Sequence, residues 1–441
     1  MPILGRCQLF GTQQVINTTQ SYPVHAYAAD LDGDGDMDVL CSSSFDYTVD
    51  WYANDGTGVF GARQVITTLV EFPEAVRAAD LDGDGDLDVL SASTDDNKVA
   101  WYENDGAGNF GPQQIISTTG LGAISLHVAD INGDTHPDVV VASVWDDKIA
   151  WYANDGSGIF DAEQIISQQA DGAHATFAAD LDGDGDMDVL SASYLDNKIA
   201  WYANDGSGGF GPQQVITTAI ATARDVVAAD LDGDGDLDVI SASSVDHTIA
   251  WYANDGSGGF GPLQVVTTTA EGAGSVRAAD LDGDGDVDLC SASWTDGTVA
   301  WYANDGSGGF GPKLIISDQA NYARCVHVAD LNGDGDPDVI SASNGDDKLA
   351  WYANEGSIST SITSTSNVVM PVLYPNPVVD RTRITGVTNG TVAVMDLLGR
   401  QLSQRTLVAG TLDLSDLAPG SYLLSVTAGS NGRIPIRFEK L

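Results

Sequence analysis

The chain has 441 residues, 43% of them hydrophobic, and carries 64 acidic against 18 basic side chains for a formal net charge of −46. So anionic a protein repels phosphate backbones and acidic headgroups, which excludes nucleic acid and anionic membranes as partners, and no segment is long and apolar enough to span a bilayer. Four cysteines, Cys7, Cys41, Cys290 and Cys325, fall at unrelated phases of the sequence and imply no disulfide framework, leaving only a chance pair such as Cys7 with Cys325.

The first predicted element is a strand from about Phe10 to Asn17. A second strand, HAYAAD, then runs into the acidic nonapeptide DLDGDGDMD at Asp30, and DVLCSSS leaves it as a third. The nonapeptide returns every 50 residues, at Asp80, Asp130, Asp180, Asp230, Asp280 and Asp330. Carboxylates at alternate positions, with glycines that let the backbone curl, wrap oxygen ligands around a hard cation, and calcium is the natural occupant. The loop resembles the first nine positions of an EF-hand, but Cys41, Ser91, Val141, Ser191, Ser241, Ser291 and Ser341 stand where the twelfth-position Glu would be.

About seven calcium ions are therefore expected. The first loop offers the side chains of Asp30, Asp32, Asp34 and Asp38, with the Asp36 carbonyl. The corresponding sets are Asp80, Asp82, Asp84, Asp86 and Asp88; Asp130, Asn132, Asp134, His136 and Asp138; and Asp180, Asp182, Asp184, Asp186 and Asp188. They continue with Asp230, Asp232, Asp234, Asp236 and Asp238; Asp280, Asp282, Asp284, Asp286 and Asp288; and Asp330, Asn332, Asp334, Asp336 and Asp338. Thr135 occupies the place of the second glycine in the third loop, which makes that loop the weakest candidate.

Each repeat continues through a strand such as KIA into Trp51, Trp101, Trp151, Trp201, Trp251, Trp301 or Trp351, then a glycine-rich NDGSG turn, then a strand such as QQVITT. Four strands per repeat, a to d, describe a propeller blade. Because one d strand precedes the first acidic loop and none follows Trp351, the N-terminal strand is expected to complete the seventh blade and cover its edge. The Trp-Tyr pairs, present in every blade at one phase, read as packing between blades and not as sugar platforms.

In carrying both DxDGDGDxD and FGP in phase, residues 7–356 resemble the FG-GAP or VCBS repeats of integrin-like propellers. The resemblance implies an all-β, seven-bladed propeller with calcium loops.

Composition changes after residue 356. Residues 357–370 form an uncharged Ser/Thr-rich linker, and residues 371–441 carry 7 basic and 5 acidic side chains against 11 and 59 in residues 1–356. TRITGV, TVAVMDLLG, TLDLSDL and SYLLSVTAG suggest a small β-sandwich. LYPNPVVD, VAVMDLLGRQL and LDLSDLAPGSYLLSV are similar to the C-terminal sorting domain of type IX secretion cargo in Bacteroidetes. This implies that the type IX machinery handles residues 371–441 and that the protein is secreted or held at the outer cell surface. MPILGRCQLFGTQQ has no apolar core of signal-peptide length, so a Sec signal is expected to lie outside the given sequence.

The a-to-b loops and c-to-d turns barely change between repeats, whereas the b-to-c and d-to-a connections vary freely. Antiparallel order puts these on opposite faces, one uniform and calcium-bearing, the other individual. The variable face offers Trp145, Tyr194 and Trp294, and strand a presents Tyr27, Arg77, His127, Phe177, Arg277 and His327 at one phase, with Val227 the exception. Aromatic and arginine side chains are suited to recognition, although the same ring could simply plug the channel. No nucleophile and base share a spacing, so no enzyme is expected. The preferred function is a lectin- or adhesin-like module for a glycan or an extracellular protein. A structural surface or filament subunit that self-assembles as a homo-oligomer comes second, and a polysaccharide-active enzyme third.

Overall fold

The computed structural model describes residues 10–356 and, beyond them, 373–374, 381–384, 390–395, 401–408, 411–427 and 433–440. The linker segment 357–370 and Cys7 lie outside the described residues. Contacts divide the chain into two compact units, Met1–Ile358 and Ser359–Leu441.

The first unit is built from β1 (Gln14–Asn17), β2 (Pro23–Ala29), β3 (Asp38–Ser43), β4 (Thr48–Tyr52) and β5 (Gln64–Thr67), and the last four recur at each repeat through β28 (Lys348–Tyr352). β2 to β5 form one antiparallel four-stranded sheet in sequence order, and five further sheets repeat that order. The seventh sheet runs β1-β28-β27-β26, with β26 at Ala323–Ala329 and β27 at Asp338–Ser343, so the N-terminal strand closes the ring. Gln14 and Val15 pair with Trp351 and Ala350. Phe10 bridges Asn354, is 3% exposed and meets Trp301 edge-on at 6.3 Å.

Strand b is buried at all six positions in every blade, because it lies between its neighbours in the sheet with a blade packed on each face. The tryptophans lie in the seams: Trp51 joins Val76, Val89 and Tyr102 of the next blade, and Phe110 meets it edge-on at 6.2 Å. Gly58 is required at its seam, since a Cβ there would sit 2.3 Å from the Trp351 ring and φ is +77°. Polar clamps also cross every seam. Asn104 Nδ2 donates to the Leu31 carbonyl at 2.7 Å, and Asn54 does the same to Leu331, joining the first blade to the last.

The first blade departs from the others. Asp50, fully buried, stands where other repeats have Ala, and it accepts hydrogen bonds from Thr48, Gln20 and Arg63 at 2.7, 3.0 and 2.9 Å. Arg63 replaces a glutamine that in the second blade, as Gln113, donates to Tyr102 Oη at 2.8 Å, and the buried Tyr52 hydroxyl has no such partner.

The second unit is a small β domain. One sheet holds β29 (Leu373–Tyr374), β30 (Arg381–Ile384) and β33 (Thr411–Asp413), and the other holds β31 (Gly390–Met395), β32 (Gln401–Leu407), β34 (Gly420–Thr427) and β35 (Arg433–Lys440). Val392, Val394, Leu407, Leu412, Leu414 and Leu424 form an apolar cluster to which both sheets contribute. No helix among the described residues is long and apolar enough to cross a membrane.

Candidate functional site: acidic loops and the axial cavity

The acidic loops curl as their glycines require, with Gly33 and Gly35 at φ +74° and +95°. The Asp30 carboxylate caps the turn, accepting from the Gly33 and Gly35 amides at 2.8 and 3.0 Å. Asp38 is fully buried and accepts from Leu31 N and Asn54 N at 2.9 and 2.8 Å, which ties the loop to the c-to-d turn. Burial away from water pushes Asp38, Asp88 and Asp338 up to about 7, and Asp138, Asp188, Asp238 and Asp288 up to about 6, in spite of those amide bonds.

Oxygens of Asp30, Asp32 and Asp38 converge to within 4.8 Å, as do the matching trios of the second, fourth and sixth loops, while the fifth brings Asp230, Asp232 and Asp234 together. The donor set fits a hard cation at one further point. Oδ1 of Asp32, Asp182 and Asp232 is shielded from solvent with no hydrogen-bond partner, as a metal-facing oxygen would be. In the third and seventh loops the same atom belongs to Asn132 and Asn332 and accepts from Asp134 N and Asp334 N at 2.9 and 3.0 Å. The third loop also forces Thr135 to φ +74°, a strained conformation for a residue with a Cβ. Asp36 turns its carboxylate onto Gly56, and His136 occupies the equivalent place over Gly156.

A cavity of about 400 Å³ lies on the ring axis. All seven residues that share one phase of strand a line it: Tyr27, Arg77, His127, Phe177, Val227, Arg277 and His327. Every a–b pair also carries a register shift at its outer end, as between Pro23 and His25. The extra residue of this bulge is re-aimed, which brings Glu74, His174, Arg224 and Arg324 to the cavity as well. Repeat comparison did not single out Glu74, His174, His25 or Asp225, because residues at these phases differ chemically from blade to blade. The signal was present in the phase itself.

The lining partly satisfies itself. Arg277 Nη1 pairs with Asp225 Oδ2 at 2.7 Å, and Arg324 with Glu74 at 3.5 Å. Arg77 bonds His25 Nε2 at 2.9 Å and lies 5.2 Å over the Tyr27 ring. Tyr27 packs against His327 with ring centres 4.6 Å apart and planes tilted by 42°, and His127 packs against Phe177 at 4.4 Å and 49°. Arg224 lies over the rings of Tyr194 and Trp294, at 4.7 and 5.3 Å from their centres. Burial, with the arginines nearby, lowers His127, His174 and His327 to about 3, so these imidazoles are neutral near pH 7. Of the three variable-loop aromatics, Trp294 lines the cavity and Tyr194 backs Arg224, whereas Trp145, 57% exposed, is not part of the lining.

With seven closed blades and loops at this period, family membership follows from sequence matching along the whole ring. The FG-GAP-like repeat family matches in seven overlapping segments, 30–91, 80–141, 130–191, 180–241, 230–291, 280–341 and 330–373. The chain belongs to the FG-GAP-like repeat family. Residues 372–435 match the secretion system C-terminal sorting domain, which directs this FG-GAP protein through type IX secretion to the cell surface or extracellular space of a Bacteroidetes-type bacterium. No curated protein matches the chain by sequence. An Agrocybe aegerita lectin described as recognising non-reducing terminal N-acetylglucosamine is similar in fold, with 22% identity, a TM-score of 0.54, and coverage of 77% of this chain and 87% of the lectin. BBS1N, solved in complex with ARL6DN, aligns at 10% identity and a TM-score of 0.56 over 80% of this chain and 98% of its own. PorZ, a surface component of the Porphyromonas gingivalis type IX secretion system, aligns at 14% identity and a TM-score of 0.50 over 92% of this chain and 58% of its own. At these identities the likeness concerns the fold.

Proposed function

We propose that this is a calcium-stabilised, extracellular ligand-binding propeller, a lectin- or adhesin-like module that recognises a glycan or an extracellular protein with its variable face and performs no chemistry. The observation that carries the reading is the contrast between the two kinds of repeated position. The loop face uses nearly the same acidic residues in all seven blades, as metal binding asks, while the axial positions hold Tyr, Arg, His, Phe and Val in one ring. Arginine and aromatic groups that converge in a small cavity are the components of a recognition site. Five convergent carboxylate trios support calcium as the ion that holds the loops closed. The fold likeness to a lectin is in keeping with glycan recognition.

The test is a glycan array probed with the calcium-loaded full chain, beside an activity screen on the same polysaccharides. Binding to a defined subset without product release is expected. Depolymerisation of any of them would replace this reading with an enzymatic one.

A further inference from the structure

We infer that the axial cavity is an anion site and that its ligand is an acidic saccharide, one bearing a carboxylate or sulfate on the ring that enters. The inference rests on the binding role proposed above and adds the charge of the ligand.

The cavity is an electropositive island in an acidic protein. Its lining takes four of the chain's 18 basic side chains, Arg77, Arg224, Arg277 and Arg324, but only two of its 64 acidic ones, Glu74 and Asp225. Those two carboxylates are engaged with Arg324 and Arg277. Arg77 and Arg224 have no ion pair among the described residues. The Arg77 guanidinium has only an imidazole and the Val76 carbonyl as acceptors. Arg224 Nε is shielded from solvent and unpartnered.

A guanidinium left without an acceptor in a desolvated site is costly, and the ordinary remedy is a bidentate oxyanion. Arg224 is placed to bind one, its buried Nε having no acceptor of its own. The Tyr194 and Trp294 rings lie 4.7 and 5.3 Å from its guanidinium carbon and hold the group in place by cation–π contact, neither offering it a carboxylate or carbonyl acceptor. The buried His25 Nδ1 also lacks a partner and could serve a hydroxyl of the same ligand. The volume, about 400 Å³, is near the lower end of small-molecule sites, which run from roughly 300 to 1,000 Å³, so a sugar end fits and a folded protein surface does not.

The experiment titrates the calcium-loaded full chain, at constant ionic strength, with trigalacturonate and with its fully methyl-esterified, neutral counterpart, read by calorimetry. Trigalacturonate should bind at least tenfold more tightly than the ester. Arg224→Gln should abolish that preference with little change in melting temperature, while Trp145→Ala, outside the cavity, should retain it. Equal affinity for acid and ester would overturn the anion inference and leave a neutral-glycan lectin standing. Absence of binding by both at millimolar concentration would also overturn it, and the glycan array would then decide the broader reading alone. Preference that survives Arg224→Gln but vanishes on chelation would place the acid on the calcium face and refute the cavity.

Discussion

Removing calcium should loosen the whole ring, by an amount that can be worked out loop by loop. Extracellular calcium sites bind with dissociation constants of roughly 0.1 to 1 mM. At about ten times that concentration of free ion, each site adds about 1.4 kcal/mol of stability. The five loops with convergent carboxylates then contribute about 7 kcal/mol together, a large share of the roughly 5–15 kcal/mol that keeps a domain folded. Loops three and seven, with Asn132 and Asn332 satisfied by the backbone, should add less. In scanning calorimetry, excess EDTA should lower the melting temperature by roughly 10 °C or more. Asp32→Asn puts in the first loop the asparagine of loops three and seven and should weaken that one site toward their level in a calorimetric titration while leaving the EDTA curve unchanged. Superimposable melts with and without EDTA would refute the reasoning, as would an Asp32→Asn protein that binds calcium as tightly as the parent at every site.

Calcium affinity should fall as pH drops from about 7, since protons compete for the Asp38-type carboxylates held near 6 to 7 by burial; the loss approaches about tenfold per pH unit and site, and a terbium-luminescence titration at several pH values would measure it. In the first blade, Arg63→Ala leaves the buried Asp50 carboxylate without its cation and should destabilise by about 3 kcal/mol. The triple change Gln20→Val, Asp50→Ala, Arg63→Gln restores the second-blade pattern and gives the Tyr52 hydroxyl a partner, so denaturant unfolding should put it within about 1 kcal/mol of the parent. A neutral Arg63→Ala would contradict the ion-pair account. Deleting residues 1–18 should expose the edge of β28 and open the last blade to proteolysis, whereas deleting 357–441 should leave the propeller intact. Fused behind a Sec signal to a reporter in a host with type IX secretion, residues 371–441 should carry the reporter outside, and a reporter retained in the periplasm would count against their sorting role.

The blade count, the phase of closure, the acidic loops and the sorting domain were legible in the sequence because each is local chemistry written at a fixed period. Asp-Gly alternation curls a loop wherever it occurs, and a lone strand before the first loop has only one open edge to fill. The pairing on the axis was not legible. Arg277 meets Asp225 of the neighbouring blade across a separation of 52 residues, and Arg324 of the last blade meets Glu74 of the second, a contact that exists only once the ring has closed. The bulge at the start of each strand a decides which neighbouring side chain enters the cavity, and no residue type announces it. Trp145, Tyr194 and Trp294 looked alike as variable-loop aromatics, yet only the latter two reach an arginine. Periodicity sets which residues occupy equivalent positions, but the charge left over in the cavity depends on which of those positions face one another, and that is a property of the closed ring.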